Sequence, residues 1–124
     1  MKKEFALNAI APYFKDPSLC GISDGGSCMY ITDEGKMCVA GKYMLPEILE
    51  SSNRRGSIDR ILVKASYNQK EVFKSEAVDV LTTDEWTNLQ RIHDAIALKG
   101  DINNSIRALD LFTMEELQEA SQKL

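Results

Sequence analysis

Apolar side chains fall at helical spacing most clearly over residues 83–98, where Trp86, Leu89, His93 and Ile96 share one stripe that Ile92 widens. Thr82 with Glu85 three residues later predicts a capping box at its start, and Gly100 is placed to end it. The same spacing predicts a first helix over 3–11, burying Phe5, Ala6, Leu7 and Ile10, with Pro12 restraining its end. Pro46 sits in the first turn of a short helix over 45–49. Ile58, Ile61, Leu62 and Ala65 fit a helix, and part of 67–81 reads as helical. Residues 101–109 can form another short helix. A last one starts at Thr113, capped with Glu116, and buries Met114, Leu117 and Ala120.

The period changes over 27–41. The runs SCMYIT and KMCVAG flank a turn, Thr32-Asp33-Glu34-Gly35, in which Gly35 can take the left-handed position. The implied register pairs Thr32 with Lys36, Tyr30 with Cys38 and Cys28 with Ala40. Cys28, Tyr30, Cys38 and Ala40 then share one face, and Met29, Ile31, Met37 and Val39 the other. One face should meet the Trp86 stripe, because a two-stranded ribbon needs cover. The expected fold is therefore α+β: one domain over 1–124, a small antiparallel hairpin packed against four to six helices.

Composition narrows the class. A 124-residue chain with 44% hydrophobic and 27% charged residues can fold around its own core without staples. With 15 basic and 19 acidic residues the formal charge is −4, and the bases are scattered, which argues against general nucleic-acid binding. No apolar run approaches the ~20 residues of a membrane span. The start, MKKEFALNAIAPYF, reads as an amphipathic helix and not an export signal, because Glu4, Asn8 and Pro12 interrupt its apolar part. A cytoplasmic protein with reduced thiols is expected, and three cysteines make no disulfide framework.

Candidate chemistry is sparse. Cys20, Cys28, Cys38 and His93 could supply three sulfurs and one nitrogen to zinc, but no two of them form the close pair that zinc knuckles use. Neither a metal nor a cofactor is expected. Cys38 could act as a nucleophile with His93 as base and Asp94 beside it, against the plainer reading of buried thiols and a core histidine bonded to a backbone carbonyl. Arg54, Arg55, Arg60 and Lys42 are the candidate donors to a small nucleotide or a partner. Cys28, Tyr30, Cys38, Gly41, Trp86 and His93 are expected to form one structural cluster.

The ordered pattern C28-x-Y30, G35-x-x-C38-x-A40-G41, L45-P46-E47 and L89-Q90-x-x-H93-D94 resembles a group of small proteins of tailed phages and prophages. Those carry C-x-Y-R, G-x-x-C-A-x-G, L-I-P-D-E and L-Q-x-x-H-D. This chain departs from them in Cys38-Val39-Ala40-Gly41, in Met44-Leu45-Pro46-Glu47 and in lacking the arginine after Tyr30. The resemblance implies a phage accessory protein and no particular activity. Three functions follow as expectations: a non-enzymatic protein that binds and modulates a host factor, plausibly a defence component; a Cys38/His93 enzyme; and a sponge for a small nucleotide signal.

Overall fold

A computed structural model describes residues 1–22, 29–51 and 58–124, with the side chains of Ser51 and Asp59 left aside. Cys28, Arg54 and Arg55 lie outside the described residues. Among those described, six α-helices carry the fold: α1 (Lys2–Lys15), α2 (Pro46–Ser51), α3 (Ile58–Lys64), α4 (Thr83–Leu98), α5 (Ile102–Leu109) and α6 (Met114–Gln122). The α4 helix packs against α1, α3 and α5, and α1 packs against α6. Trp86, Leu89, Ile92, His93 and Ile96 of α4 are all buried, as their spacing predicts. Trp86 is the centre of an aromatic group, with Phe73 stacked at 4.5 Å between ring centroids and Phe5 edge-on at 5.8 Å. No helix among the described residues is long and apolar enough to cross a membrane.

The domain is all-α, and the expected α+β architecture is wrong. The β pairing between described residues consists of the isolated antiparallel bridges Ile31–Met37 and Met44–Phe73. The turn itself forms in the anticipated register. Gly35 has φ of 85°, the Thr32 N–H donates to the Lys36 carbonyl at 2.8 Å, and the Cys38 N–H donates to the Tyr30 carbonyl at 3.2 Å. Beyond Cys38 the chain coils instead of continuing as a strand. Ala40 is helical in backbone (φ −71°, ψ −39°), and Gly41–Tyr43 makes a 3-10 turn. The physical reason lies in which groups satisfy the backbone. The Ala40 N–H, which a ladder would use, donates to the Gln90 side chain at 3.3 Å. The Met37 carbonyl accepts from the Tyr13 hydroxyl at 2.5 Å. Helix side chains thus stand where a second strand would.

Three boundaries also move. The α1 helix runs through Pro12 to Lys15. Pro12 removes only the bond to the carbonyl of Asn8, an exposed residue, while buried Tyr13 pins the last turn from below. The left-handed residue that ends α4 is Lys99 (φ 58°, ψ 40°), and Gly100 follows it with its N–H on the Ala95 carbonyl at 2.8 Å. Over 67–81 there is no α-helix. Two 3-10 turns, Gln69–Glu71 and Ser75–Ala77, are held by buried Gln69, whose amide donates to the Leu81 carbonyl at 2.7 Å and accepts the Asp79 N–H at 2.9 Å.

Both expected capping boxes form, and each is tied to α1 by a lysine. Glu85 accepts the Thr82 N–H at 2.9 Å and the Lys2 ammonium at 2.8 Å. Glu116 accepts the Thr113 N–H at 3.0 Å and pairs with Lys3. Burial pushes the Glu85 carboxyl up, but the hydrogen bonds from Lys2 and Thr82 outweigh it and hold it below its ordinary 4.5. The Lys3 hydrogen bond, then that from Thr113, lowers Glu116 likewise. Groups depressed on folding stabilise the native state above 4.5, and that stability is lost as pH falls through their folded values. Urea midpoints should therefore drop between about pH 5 and pH 3, and the double variant Glu85→Gln/Glu116→Gln, which keeps both caps without the titration, should flatten that drop.

Candidate functional site

Part of the anticipated cluster, Tyr30, Cys38, Gly41 and His93, gathers around Gly21. His93 is fully buried, and its Nε2 accepts the Gly21 N–H at 3.1 Å. The Gly21 carbonyl in turn accepts the Met29 N–H at 2.8 Å. The glycine is demanded by space. A Cβ there would lie 2.4 Å from the Cys38 nitrogen and 2.6 Å from the Met29 oxygen, both backbone atoms. Gly21 is thus wedged between His93 and Cys38. Gly41 makes a second close approach, since its Cβ would lie 2.1 Å from the Tyr30 oxygen.

The acceptor role of Nε2 fixes the tautomer of His93. The ring proton is on Nδ1 and is donated to Asp94 Oδ1 at 2.9 Å. Gln90 Nε2 lies 3.3 Å from Nδ1, but two donors cannot bond, so its partner is Asp94 Oδ1 at 3.1 Å. Gln90 Oε1 faces the other way and takes the Ala40 N–H at 3.3 Å. Gln90, His93 and Asp94, spaced to share one side of α4, therefore form a polar clamp on two backbone N–H groups of the coiled segment. Asp94 is 31% exposed in its side chain, so water can solvate the rest of its carboxylate.

This geometry corrects the histidine. Its ring holds a backbone N–H and a carboxylate, not a backbone carbonyl, and with both nitrogens engaged it has no lone pair for a thiol. The Cys38 sulfur, in a residue only 1% exposed, accepts the Gly41 N–H at 3.3 Å. Burial, then the nearby carboxylates of Asp94 and Asp16, pushes the Cys20 thiol up to about 11. Its Sγ stands 4.0 Å from the His93 carbonyl oxygen. Cys20 thus stays a neutral packing group. Among the described residues, no three side chains of metal-ligating type gather.

Of the cluster, Tyr30, Cys38, Gly41 and His93 come together around Gly21. Trp86 sits two turns along α4 among Phe5, Tyr43 and Phe73. Of the candidate donors, only Arg60 and Lys42 lie among the described residues. Arg60 is exposed on α3, whereas Lys42 lies over the Tyr13 ring at 4.7 Å to its centroid. Sequence reasoning missed Gly21, Gln90 and Tyr13 as site residues. The available signals were the Cys20-Gly21 step inside a polar loop and the glutamine three residues before the histidine.

Tyr13 joins the clamp to the surface. Its ring meets His93 edge-on at 5.0 Å between centroids, its hydroxyl is bonded to Met37, and its outer face lines a cleft of about 310 Å³ with Lys42. Set against protein-family models, curated proteins and solved structures, the chain matches none.

Two substitutions test the clamp. Replacing Gly21 by Ala drives a methyl into backbone and should cost more than about 3 kcal/mol in urea unfolding, while Gly100→Ala, whose methyl would meet the Ala95 Cα at 3.5 Å, should change little. His93→Leu keeps the bulk but strands the buried Gly21 N–H, and should cost about 3 kcal/mol by the same measurement.

Proposed function

We propose that the chain is a phage-encoded accessory protein that acts by binding, and that its partner is a protein of the host cytoplasm, a defence component first among them. The observation that carries this reading is the full engagement of His93: the imidazole holds Gly21 and Asp94, so it cannot serve Cys20 or Cys38 as a base. Residues that a sequence reading would assign to catalysis serve to build the fold. The motif resemblance supplies the phage context, and the same motif residues are those that make the clamp. Function then falls to the surface. Large apolar side chains are exposed there at Leu19, Val63, Tyr67 and Leu98.

The reading is tested with the intact chain immobilised against a lysate of its host. One host protein should be retained in stoichiometric amount and should re-form the complex from purified components. Cys20→Ala and Cys38→Ala, once shown by circular dichroism to be folded, should bind that protein as the unaltered chain does. Turnover of a substrate that vanishes in folded Cys38→Ala would overturn the reading.

A further inference from the structure

The cleft above Tyr13 carries charge that the described residues do not answer. Its walls are apolar where Pro12, Leu19 and Met37 line it, and Tyr13 offers a ring. Lys42 is half-buried, with its ammonium on that ring, and among the described residues no carboxylate oxygen lies within 4.0 Å of it. Lys36 brings a second amine, whose carboxylate neighbour Glu34 is at 4.0 Å, the outer limit of an ion pair. Two amines face one carboxylate on a protein whose net charge is −4.

We propose that this cleft binds the carboxylate of a small organic acid with an apolar body, free or as the apolar C-terminal residue of a peptide, with the Lys42 ammonium as its charge partner. The charge balance of the lining favours a monoanion, and several of its other donors are already used. The Gly35 N–H is committed to the Thr32 carbonyl at 2.9 Å and the Lys36 N–H to the Thr32 hydroxyl at 3.0 Å. The Tyr13 hydroxyl donates to Met37. Two ammonium groups against the one carboxylate of Glu34 leave a single positive charge in the lining, which suits a monoanionic carboxylate better than a phosphate dianion. The volume, about 310 Å³, is at the small end of ligand pockets. An apolar body fits against Pro12, Leu19 and Met37 while the carboxylate meets the Lys42 amine that lies over the Tyr13 ring. Burial also lowers the Lys42 pKa, so an adjoining carboxylate would restore what desolvation removes.

The larger groove along α5 and α6, about 610 Å³, sets two acids, Asp101 and Asp110, against one Arg107, so its lining is negative where that of the Tyr13 cleft is positive. The inference rests on the Tyr13 cleft alone and stands apart from the host-partner reading.

The test titrates the full 15N-labelled chain with phenylacetate, phenylacetamide, inorganic phosphate, and a tripeptide ending in phenylalanine with its C-terminus free or amidated. A carboxylate ligand should shift the amides of Gly35, Lys36, Met37 and Lys42 saturably, in about the millimolar range for so small a molecule. Its affinity should fall about tenfold in Lys42→Met, which keeps the apolar stem and drops the charge. Response to phenylacetate alone identifies a free acid, and response to the free-ended tripeptide identifies a chain terminus. The proposal is overturned by no saturable shift with either carboxylate, by phosphate binding at least as tightly, or by equal affinity in folded Lys42→Met. Equal binding of the amides to the unaltered chain also overturns it, and that comparison needs no variant.

Discussion

The hydrogen bond from the Gly21 N–H to His93 Nε2 is the contact on which the rest depends. It joins an irregular strap to the central helix inside a region closed to water, where an unmet amide would cost about 1–3 kcal/mol. One bond also sets several others. With Nε2 an acceptor, Nδ1 must donate, Asp94 must receive, and Gln90 must turn its amide nitrogen to Asp94 and its oxygen to Ala40. The order of donors and acceptors has one consistent solution. That is how a coiled segment with little regular structure acquires a single conformation.

The strap and helix α4 solve complementary problems. Residues 29–44 bury Tyr30, Cys38, Val39, Ala40 and Met44, so they must be dry, yet the bonds within their own backbone are those of the turn over 30–38 and of the coil over 38–44 rather than of a sheet. A wider sheet would satisfy their backbone but would need more strand than this chain spends. Helix α4 supplies the missing partners from its polar positions while its apolar positions face α1, α3 and α5. Tyr13 does the same from α1. Gly21 and Gly41 let backbones approach to distances that any side chain would block, and this makes the short bonds geometrically available.

What could be read ahead of the structure was local. The stripe of α4, the capping boxes at Thr82 and Thr113, and the left-handed Gly35 each follow from residues within a few positions of one another. The register of the turn at 32–36 is local too. What failed was non-local. Whether Ala40 extends a strand depends on Gln90, fifty positions on, and alternating apolar residues around a turn look the same in both cases. Pro12 predicts an end because most prolines end helices, and Tyr13 overrides it through a partner in another segment. Lys99 takes the left-handed position that Gly100 would hold at less strain. Of the site, His93 was singled out for its chemistry, but its partner Gly21 has no side chain by which to be noticed.

A buried polar network of this kind separates chemistry from the residues that suggest it. Cysteine, histidine and aspartate in proximity imply reactivity only when one lone pair or proton is left to act on something outside. Here the imidazole and its carboxylate close on the backbone, and Gly21 stands between ring and thiol. Reactivity is thereby blocked at that ring, and unmet charge is left at groups that the described residues do not pair. Lys42 is the clearest of these. It is held on a tyrosine whose other edge supports His93, so the position of the surface cation is fixed by the same packing that fixes the clamp. A change in the clamp would reach Lys42 through Tyr13 and through the Cys38 carbonyl, which accepts the Lys42 N–H at 3.3 Å, and a ligand at Lys42 would press on the clamp by the same contacts.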